Sequence, residues 1–373
     1  MRQEVTLLLT RLVYSMQWYV LAPAMLQILS EYGAPSWLSG VLPLVFIAGA
    51  ASTQLVSVAL SARIGARNTF VIGLAILSLS DIMIYFASSA WEAVALRFIA
   101  GLGTGLFFAP AGFVLVNISD SSSASLMGLY NATFNLGGLA ALAWGVVDGL
   151  LGWRLGTLVA GLLGIAMDAA SAAVIKFNGR PAGAGPRARS SWTDLLIVGA
   201  AGAGSFGTSY AFGFLLPSMA QLSFGASPFG SGSLTLLMFA GAALGGFLAV
   251  WVPVGWARSR RRVSALLAVS SISYLMIYSR SFAFFLAASF INGFLVDLAF
   301  SVYYAYAVER YGRDQSALSL AFINMANMAV SLWIFPLAGY ALPRGLLAEA
   351  LVLAVTNVMT VPLLYATRER PDK

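Results

Sequence analysis

Cysteine and histidine are both absent from this chain of 373 residues. Disulfides, thiolate chemistry, Cys/His zinc sites and imidazole proton relays are therefore excluded. Charge is scarce as well: Asp, Glu, Lys and Arg make up 9% of the chain, and only 14 residues are acidic. Any proton traffic falls to those carboxylates. The chain also lacks the alternating segments of ~10 residues that would mark an outer-membrane barrel. The glycine-rich run Gly101-Leu102-Gly103-Thr104-Gly105 follows no strand and precedes no phosphate-binding charge, so it is not a nucleotide loop. No metal and no cofactor are expected.

What the chain has in abundance is apolar surface. Hydrophobic residues make up 60% of it and the mean hydropathy is +0.85. A soluble core cannot hide so much, whereas lipid accepts it, and apolar windows of ~20 residues recur along the whole length. Reading them between polar breaks predicts twelve helical spans, an all-α polytopic membrane protein. The first span is expected near 6–29, the seventh near 193–217 and the eleventh near 316–339. Between the sixth and seventh lies the most hydrophilic stretch, KFNGRPAGAGPRARSSW from Lys176. Its Gly, Pro, Ser and Arg content reads as a solvated linker. The expected organisation is a first unit over 1–176, a basic linker over 177–192 and a second unit over 193–373.

The net charge of +7 does not point to nucleic acid, because the basic residues sit in short loops beside apolar spans. With the N-terminus inside, sixteen of the 21 Lys and Arg residues fall in inward segments and three (Arg154, Arg280, Arg344) in outward loops. Arg11 and Arg97 lie within spans. The bias predicts a multi-pass protein of the cell membrane with both termini and the linker in the cytoplasm.

The two units resemble each other. SFINGFLVDLAF from Ser289 lies over RFIAGLGTGLFF from Arg97 at an offset of 192, and SALSLAFIN from Ser316 over SASLMGLYN from Ser123 at 193. The basic loop ARSRRR from Ala257 lies near ARIGAR from Ala62 at 195. Three matches at nearly one offset predict a duplicated six-span unit. An even span number makes the copies parallel, related about the membrane normal.

These features together resemble the major facilitator superfamily of secondary transporters. The family's loop between spans 2 and 3 tends to read Gly-x-x-x-Asp-Arg-x-Gly-Arg-Arg. Here VALSARIGAR from Val58 keeps Arg63, Gly65 and Arg67, while Val58, Ala62 and Ala66 replace the family residues. The acid associated with the family's inside gate is thus missing at Ala62. Arg97, Gly101, Gly103 and Gly105 match the family's Arg-x-x-x-Gly-x-Gly-x-Gly pattern in span 4. Span 5, with Gly137 and Gly138 but no Gly-Pro, does not carry the antiporter signature. The resemblance implies alternating access about a central cavity lined by spans 1, 4, 7 and 10, and a role at Arg97 in coupling.

Ionisable side chains in hydrocarbon cost ~2.5–3.5 kcal/mol or more, so each requires an explanation. Asp81 and Arg97 share a depth in spans 3 and 4, as a neutralising pair or a proton-linked switch. Arg11 and Asp168 share a depth in spans 1 and 6. There Arg11 snorkels to the surface, pairs with Asp168 or holds an anionic solute. Asp297, near the middle of span 10, has no Lys or Arg in any span of its own unit. A carboxylate so placed is the kind of group that takes up and releases a proton as access alternates. Ser289, Gly293, Asp297, Phe300 and Tyr304 share its helical face.

Expected solute contacts are Arg11, Tyr14, Gln17 and Trp18 on span 1, Thr208 and Phe212 on span 7, Gly293 on span 10 and Asn324 on span 11. Proton coupling is expected at Asp297, with Asp81 and Arg97 as a second element. With no ATP-binding domain in view, the sequence reads as a monomeric, non-enzymatic, gradient-driven carrier. Its partners would be protons, membrane lipids and a small organic solute, and not nucleic acid. Two alternatives remain open at this level: an anion uniporter or exchanger using Arg11 and Arg97, and a non-transporting membrane receptor or lipid scramblase. Pro110 and Pro336, inside spans 4 and 11, are the expected hinges.

Overall fold

The computed structural model describes residues 2–118, 123–180, 192–252, 256–311 and 316–367. Among them the chain is all-α, with short 3-10 turns and no strand. The first half runs α1 (Arg2–Tyr19), α2 (Met25–Glu31), α3 (Leu38–Ile64), α4 (Ala66–Ile84), α5 (Ala90–Ile118), α6 (Ser123–Leu151) and α7 (Trp153–Val174). The second runs α8 (Trp192–Phe224), α9 (Pro228–Leu248), α10 (Arg260–Met276), α11 (Phe282–Tyr311), α12 (Ser316–Ser331), α13 (Ile334–Ala341) and α14 (Leu346–Val358). Of the expected linker, residues 181–191 lie outside the described ones.

Eight helical stretches among the described residues are long and apolar enough to cross a membrane, and the α12–α13 pair, bent by 41°, makes a ninth. That is a multi-pass membrane protein. The other three expected spans, α1, α9 and α10, do not meet the same test, for local reasons. Arg2, Glu4, Arg11 and Gln17 lower the apolarity of α1, and α10 is 17 residues long and opens on Arg260, Arg261 and Arg262; in α9 the apolar stretch Leu236–Leu248 is shorter than a span among the described residues.

Two breaks differ from the expected spans. The first span is interrupted at residues 20–24, between α1 and α2, where Pro23 has no N–H to offer the carbonyl of Tyr19. A tight turn from the Ala22 N–H to that carbonyl, at 2.8 Å, takes its place. The eleventh span breaks at Leu332 and Trp333, the former four residues before Pro336. Pro110 does not act in this way: α5 continues through it without interruption.

α1 packs on α6 and α7, α3 and α4 pack on α5, and α4 packs on α7. In the second half α9 packs on α11, α8 on α12, and α10 on α11 and α14. The halves meet where α6 touches α9 and where α3 touches α12 and α13. The 192-residue offset reaches into this packing. A Cβ at Gly49 would overlap the Phe98 carbonyl and one at Gly101 the Phe46 carbonyl, so only glycine lets α3 and α5 approach so closely. At 192 positions on, a Cβ at Gly241 would overlap the Phe290 carbonyl and one at Gly293 the Met238 carbonyl. The helix pairs α3–α5 and α9–α11 are built on the same glycine contacts.

The N-terminal residues, the end of α7 and the start of α8 share one end of the molecule, the linker end. There the Ala66 N–H donates to Gly179 O at 2.9 Å, Arg67 to Ile175 O at 3.0 Å and Asn178 to Ile64 O at 3.1 Å. These bonds to backbone carbonyls, two of them from side chains, hold the α3–α4 loop, where the sequence lacks the family's acid. Asp194, in the first turn of α8, takes Arg310 at 2.8 Å and Tyr311 at 2.8 Å. At the opposite end the halves touch directly: Gly40 of α3 lies against Phe335 and Gly339 of α13, and Gln221 donates to Pro23 O at 3.3 Å.

Candidate functional site

A cavity of about 150 Å³ lies between the halves, walled by α1, α5, α6, α8, α9, α11 and α12. Its charged lining residues are Arg11 and Asp297, one from each half. Asp81, Asp148, Asp168 and Glu349 are not among its lining residues.

Helical periodicity puts Arg11, Tyr14 and Trp18 on one face of α1, and all three line the cavity. Arg11 is only 2% exposed, so it does not snorkel. Nor does it pair with Asp168, whose Oδ1 has no partner. Its guanidinium lies among four rings, 4.2 Å from Tyr130, 4.7 Å from Phe134, 4.8 Å from Tyr14 and 5.1 Å from Phe108. Desolvated cation–π contacts of ~2 kcal/mol stabilise a cation that hydrocarbon alone would reject. Two of its nitrogens, Nε and Nη1, have no hydrogen-bond partner, while the Tyr14 hydroxyl lies within hydrogen-bonding reach of the guanidinium.

Asp297 faces the same space from α11, together with Gly293, Phe300 and Tyr304. Asn135 of α6 is within hydrogen-bonding reach of its carboxylate. The carboxylate also lies over Gly246 of α9, where a Cβ would overlap Oδ2. Tyr304 donates to Asn324 at 2.8 Å and receives Asn327 at 3.4 Å, which fixes the Asn324 amide on the cavity wall.

Arg97 and Asp81 form a different arrangement. They are fully buried, pair at 3.4 Å, and line no part of the cavity. Arg97 donates to Gln17 O at 3.2 Å and Trp18 O at 2.9 Å, and lies 4.1 Å from the Phe46 ring. It thus satisfies carbonyls at the C-terminal end of α1, just before the break, which helix geometry leaves without partners. Through them it fixes the backbone that carries Trp18.

Three residues expected in the cavity lie elsewhere. Gln17, a quarter turn from Trp18, donates to Ala160 O at 3.0 Å and to Ser78 at 3.2 Å, joining α1 to α7 and α4. Thr208 shares a 2.8 Å hydrogen bond with Thr356 of α14, and Phe212 packs edge-on against Tyr274 of α10. The cavity face of α8 is instead Phe206, Ser209 and Tyr210. Tyr19, Phe134, Tyr210 and Phe239 went unnoticed in the sequence. A signal existed for Tyr210: a hydroxyl-bearing ring in mid-span, one helical turn after Phe206, is too deep to be an interfacial anchor.

An all-α, multi-pass chain hollowed between two sets of helices has the build of a membrane carrier. It belongs to the Major Facilitator Superfamily, whose family model matches residues 7–332. In fold it is similar to a bacterial homolog of the human lysosomal transporter Spinster solved in an inward-facing and occupied conformation. The TM-score is 0.75 at 14% identity, over 98% of this chain and 94% of that one. The inward-facing, unoccupied form of such a homolog gives a TM-score of 0.71, at the same identity and coverage. No curated protein matches the chain significantly in sequence.

Proposed function

We propose that the chain is a secondary active transporter that carries a small organic solute by alternating access and is coupled to protons through Asp297. The observation that carries this reading is the position of Asp297, the acidic residue of the cavity lining, opposite the lining's cation on the other half. A carboxylate that both the solute and the two membrane faces can reach in turn is what coupling requires. In this reading the chain has twelve spans in two six-helix bundles, 1–176 and 193–373, which rock about the cavity. The stretch 177–192 tethers them on the cytoplasmic side. The contacts of Gly40 with Gly339 and of Gln221 with Pro23 then close the outer face, and the similarity to inward-facing structures supports that assignment.

Arg97 as an anion ligand is disfavoured by its bonds to Asp81 and to the α1 carbonyls. A cavity walled by seven helices is likewise a poor match for a scramblase groove. The test is uptake into proteoliposomes of a solute found by a thermal-shift screen of organic acids, amines, sugars and lipids. An imposed pH gradient should drive accumulation by the parent protein and not by Asp297→Asn, which should still exchange solute. Undiminished gradient-driven accumulation by Asp297→Asn would remove Asp297 from the mechanism.

A further inference from the structure

Arg11 is a buried cation whose stabilising contacts are aromatic faces. It therefore keeps its capacity to donate hydrogen bonds, with Nε and Nη1 unpartnered beside the cavity. Rings attract the positive charge but accept no strong N–H···O bond, so an entering oxyanion gains charge-assisted hydrogen bonds without displacing an existing partner. Arg11 is the basic residue of the lining, so the site offers full neutralisation to one negative group and not to two. The rest of the wall favours a flat apolar body. Trp18 meets Tyr210 at 5.2 Å and Phe134 at 5.2 Å, and Phe206 meets Tyr210 at 4.5 Å. The volume of about 150 Å³ suits a body of the size of one aromatic ring, since an apolar void of ~150 Å³ accepts benzene.

The charge balance then sets the stoichiometry. Arg11 and an ionised Asp297 sum to zero, and adding a monoanion leaves one uncompensated negative charge in a low-dielectric space, which is costly. A proton on the Asp297 carboxylate restores neutrality. The other groups facing Asp297 do not supply it: α1 presents Tyr14 and Tyr19, α8 presents Tyr210, α11 itself presents Tyr304, and α6 offers the neutral Asn135. From α9 the described residues present no titratable side chain.

We propose that the solute is an aromatic organic monoanion, its negative group on Arg11 and its ring against the wall formed by Trp18 and Tyr210, carried with one proton on Asp297 so that the loaded site crosses without net charge. The solute class rests on the cavity and Arg11. The single proton rests in addition on the coupling reading above. The proton comes from the medium on the side of entry, rides on a carboxylate oxygen and leaves on the other side with the anion.

The probes are benzenesulfonate, its neutral analogue benzenesulfonamide and the cation benzyltrimethylammonium; the sulfonate stays ionised and so does not leak across lipid as a neutral acid. Calorimetric binding to the purified parent protein should favour the sulfonate over both analogues by at least about tenfold, the worth of one charge-assisted bond. Affinity should be higher in acidic than in neutral medium. Asp297→Asn should bind it equally well in both media, and Arg11→Gln should lose at least about tenfold. In proteoliposomes an inward acid gradient should drive sulfonate uptake at a rate that a valinomycin-set potassium potential does not change.

Preference for the amide or the cation, or binding of none of the three, overturns the monoanion. That charge series uses the parent protein, so it decides even where Arg11→Gln fails to fold. Uptake that follows the potential overturns the one-proton balance. Persistence of acid-driven uptake in Asp297→Asn, with sulfonate preference intact, overturns the coupling reading and leaves the solute class standing. Loss of acid-driven uptake of the cation in that variant does the reverse.

Discussion

The two halves solve the same packing problem with different chemistry. Between α3 and α5, and between α9 and α11, glycines at positions 192 apart bring helices into backbone contact. One turn further, the equivalence becomes an exchange. Where the first half has Gly105 facing α3, the second has Asp297, and where the first half has Gln54, the second has Gly246 beneath the Asp297 carboxylate. The large polar side chain has moved from one helix to the other: Gln54 reaches from α3 to Met328 of α12, whereas Asp297 reaches from α11 over Gly246 of α9. A similar contrast joins the neighbouring helices. The first half ties α4 to α5 with the ion pair Asp81–Arg97. In the second, Ser273 and Ser289 stand 192 positions on from that pair, and α10 is tied to α11 by a neutral bond from Asn292 to Ser273, 2.8 Å. A shared scaffold has thus left each half free to put its charge where it is useful. In the first half that charge holds the break in span 1, and in the second it faces the cavity.

The largest expected effect separates those two ties. Arg97→Met leaves Asp81 buried without a cation and frees the carbonyls of Gln17 and Trp18. Breaking such a pair costs ~3–5 kcal/mol, and folded yield and thermal stability in detergent should collapse. Adding Asp81→Leu should recover much of the loss, since an apolar replacement of both partners is often neutral. Asn292→Leu, which removes the neutral tie between α10 and α11 in the second half, should cost only ~1 kcal/mol. Equal losses at the two positions would mean that the ion pair is no more than a hydrogen bond in another form.

Next in size are the glycine contacts. Gly101→Val and Gly293→Val each drive a side chain into a backbone carbonyl of the neighbouring helix, and overpacking of that kind costs ~1–3 kcal/mol. The two should lose thermal stability by similar amounts. Tolerance of one and not the other would break the equivalence of α3–α5 with α9–α11.

Gly246→Ala tests the exchange itself. The added methyl meets the Asp297 carboxylate and not backbone, so the side chain can turn away and the fold should survive. Proton-driven uptake should fall by about tenfold, the equivalent of ~1.4 kcal/mol, at nearly unchanged thermal stability. Gln54→Ala, at the matching place in the first half, should leave the proton dependence as it was. An unaltered pH response in Gly246→Ala would mean that the position of the Asp297 carboxylate is unimportant to coupling.

Most of the frame was legible because lipid imposes it. Apolar windows and the scarcity of charge follow from the solvent, and the internal similarity was visible at the offset of 192 that the glycine contacts share. Arg11 and Asp297 stood out because an ion in hydrocarbon has to be accounted for. What could not be read was direction within a helix. Gln17 and Trp18 are adjacent, and both polar glue and cavity lining call for the same residue types at mid-span. Only the neighbours, Ser78 and Ala160 on one side and Phe134 and Tyr210 on the other, decide which is which. Thr208 was misplaced for the same reason, since Thr356 gives its hydroxyl a partner away from the cavity. The cage around Arg11 draws on α1, α5 and α6, a convergence that no single helix announces.

The smallest expected effect concerns the corners of the two halves. At the end opposite the linker, the first half holds Glu31 against Trp153 at 2.6 Å and Arg154 at 2.8 Å. In the second half Arg344 lies over the Tyr340 ring at 3.4 Å and makes no salt bridge among the described residues. The Trp153 indole N–H, more than the guanidinium of Arg154, holds the Glu31 carboxyl below its ordinary range. The folded carboxylate therefore ionises at lower pH than the unfolded one. Its contribution is complete above the unfolded value of ~4.3 and is lost as pH falls through the folded value. Both side chains are about a third or more exposed, so solvent screening keeps the contribution below about 1 kcal/mol. Glu31→Gln should lower the melting temperature by about 2 °C or less at neutral pH, and the two proteins should converge in strongly acidic buffer. A gap that stays constant down the acid limb would show that the corner is held by shape and the neutral Trp153 bond, and that the two halves differ there less in electrostatics than Arg154 suggests.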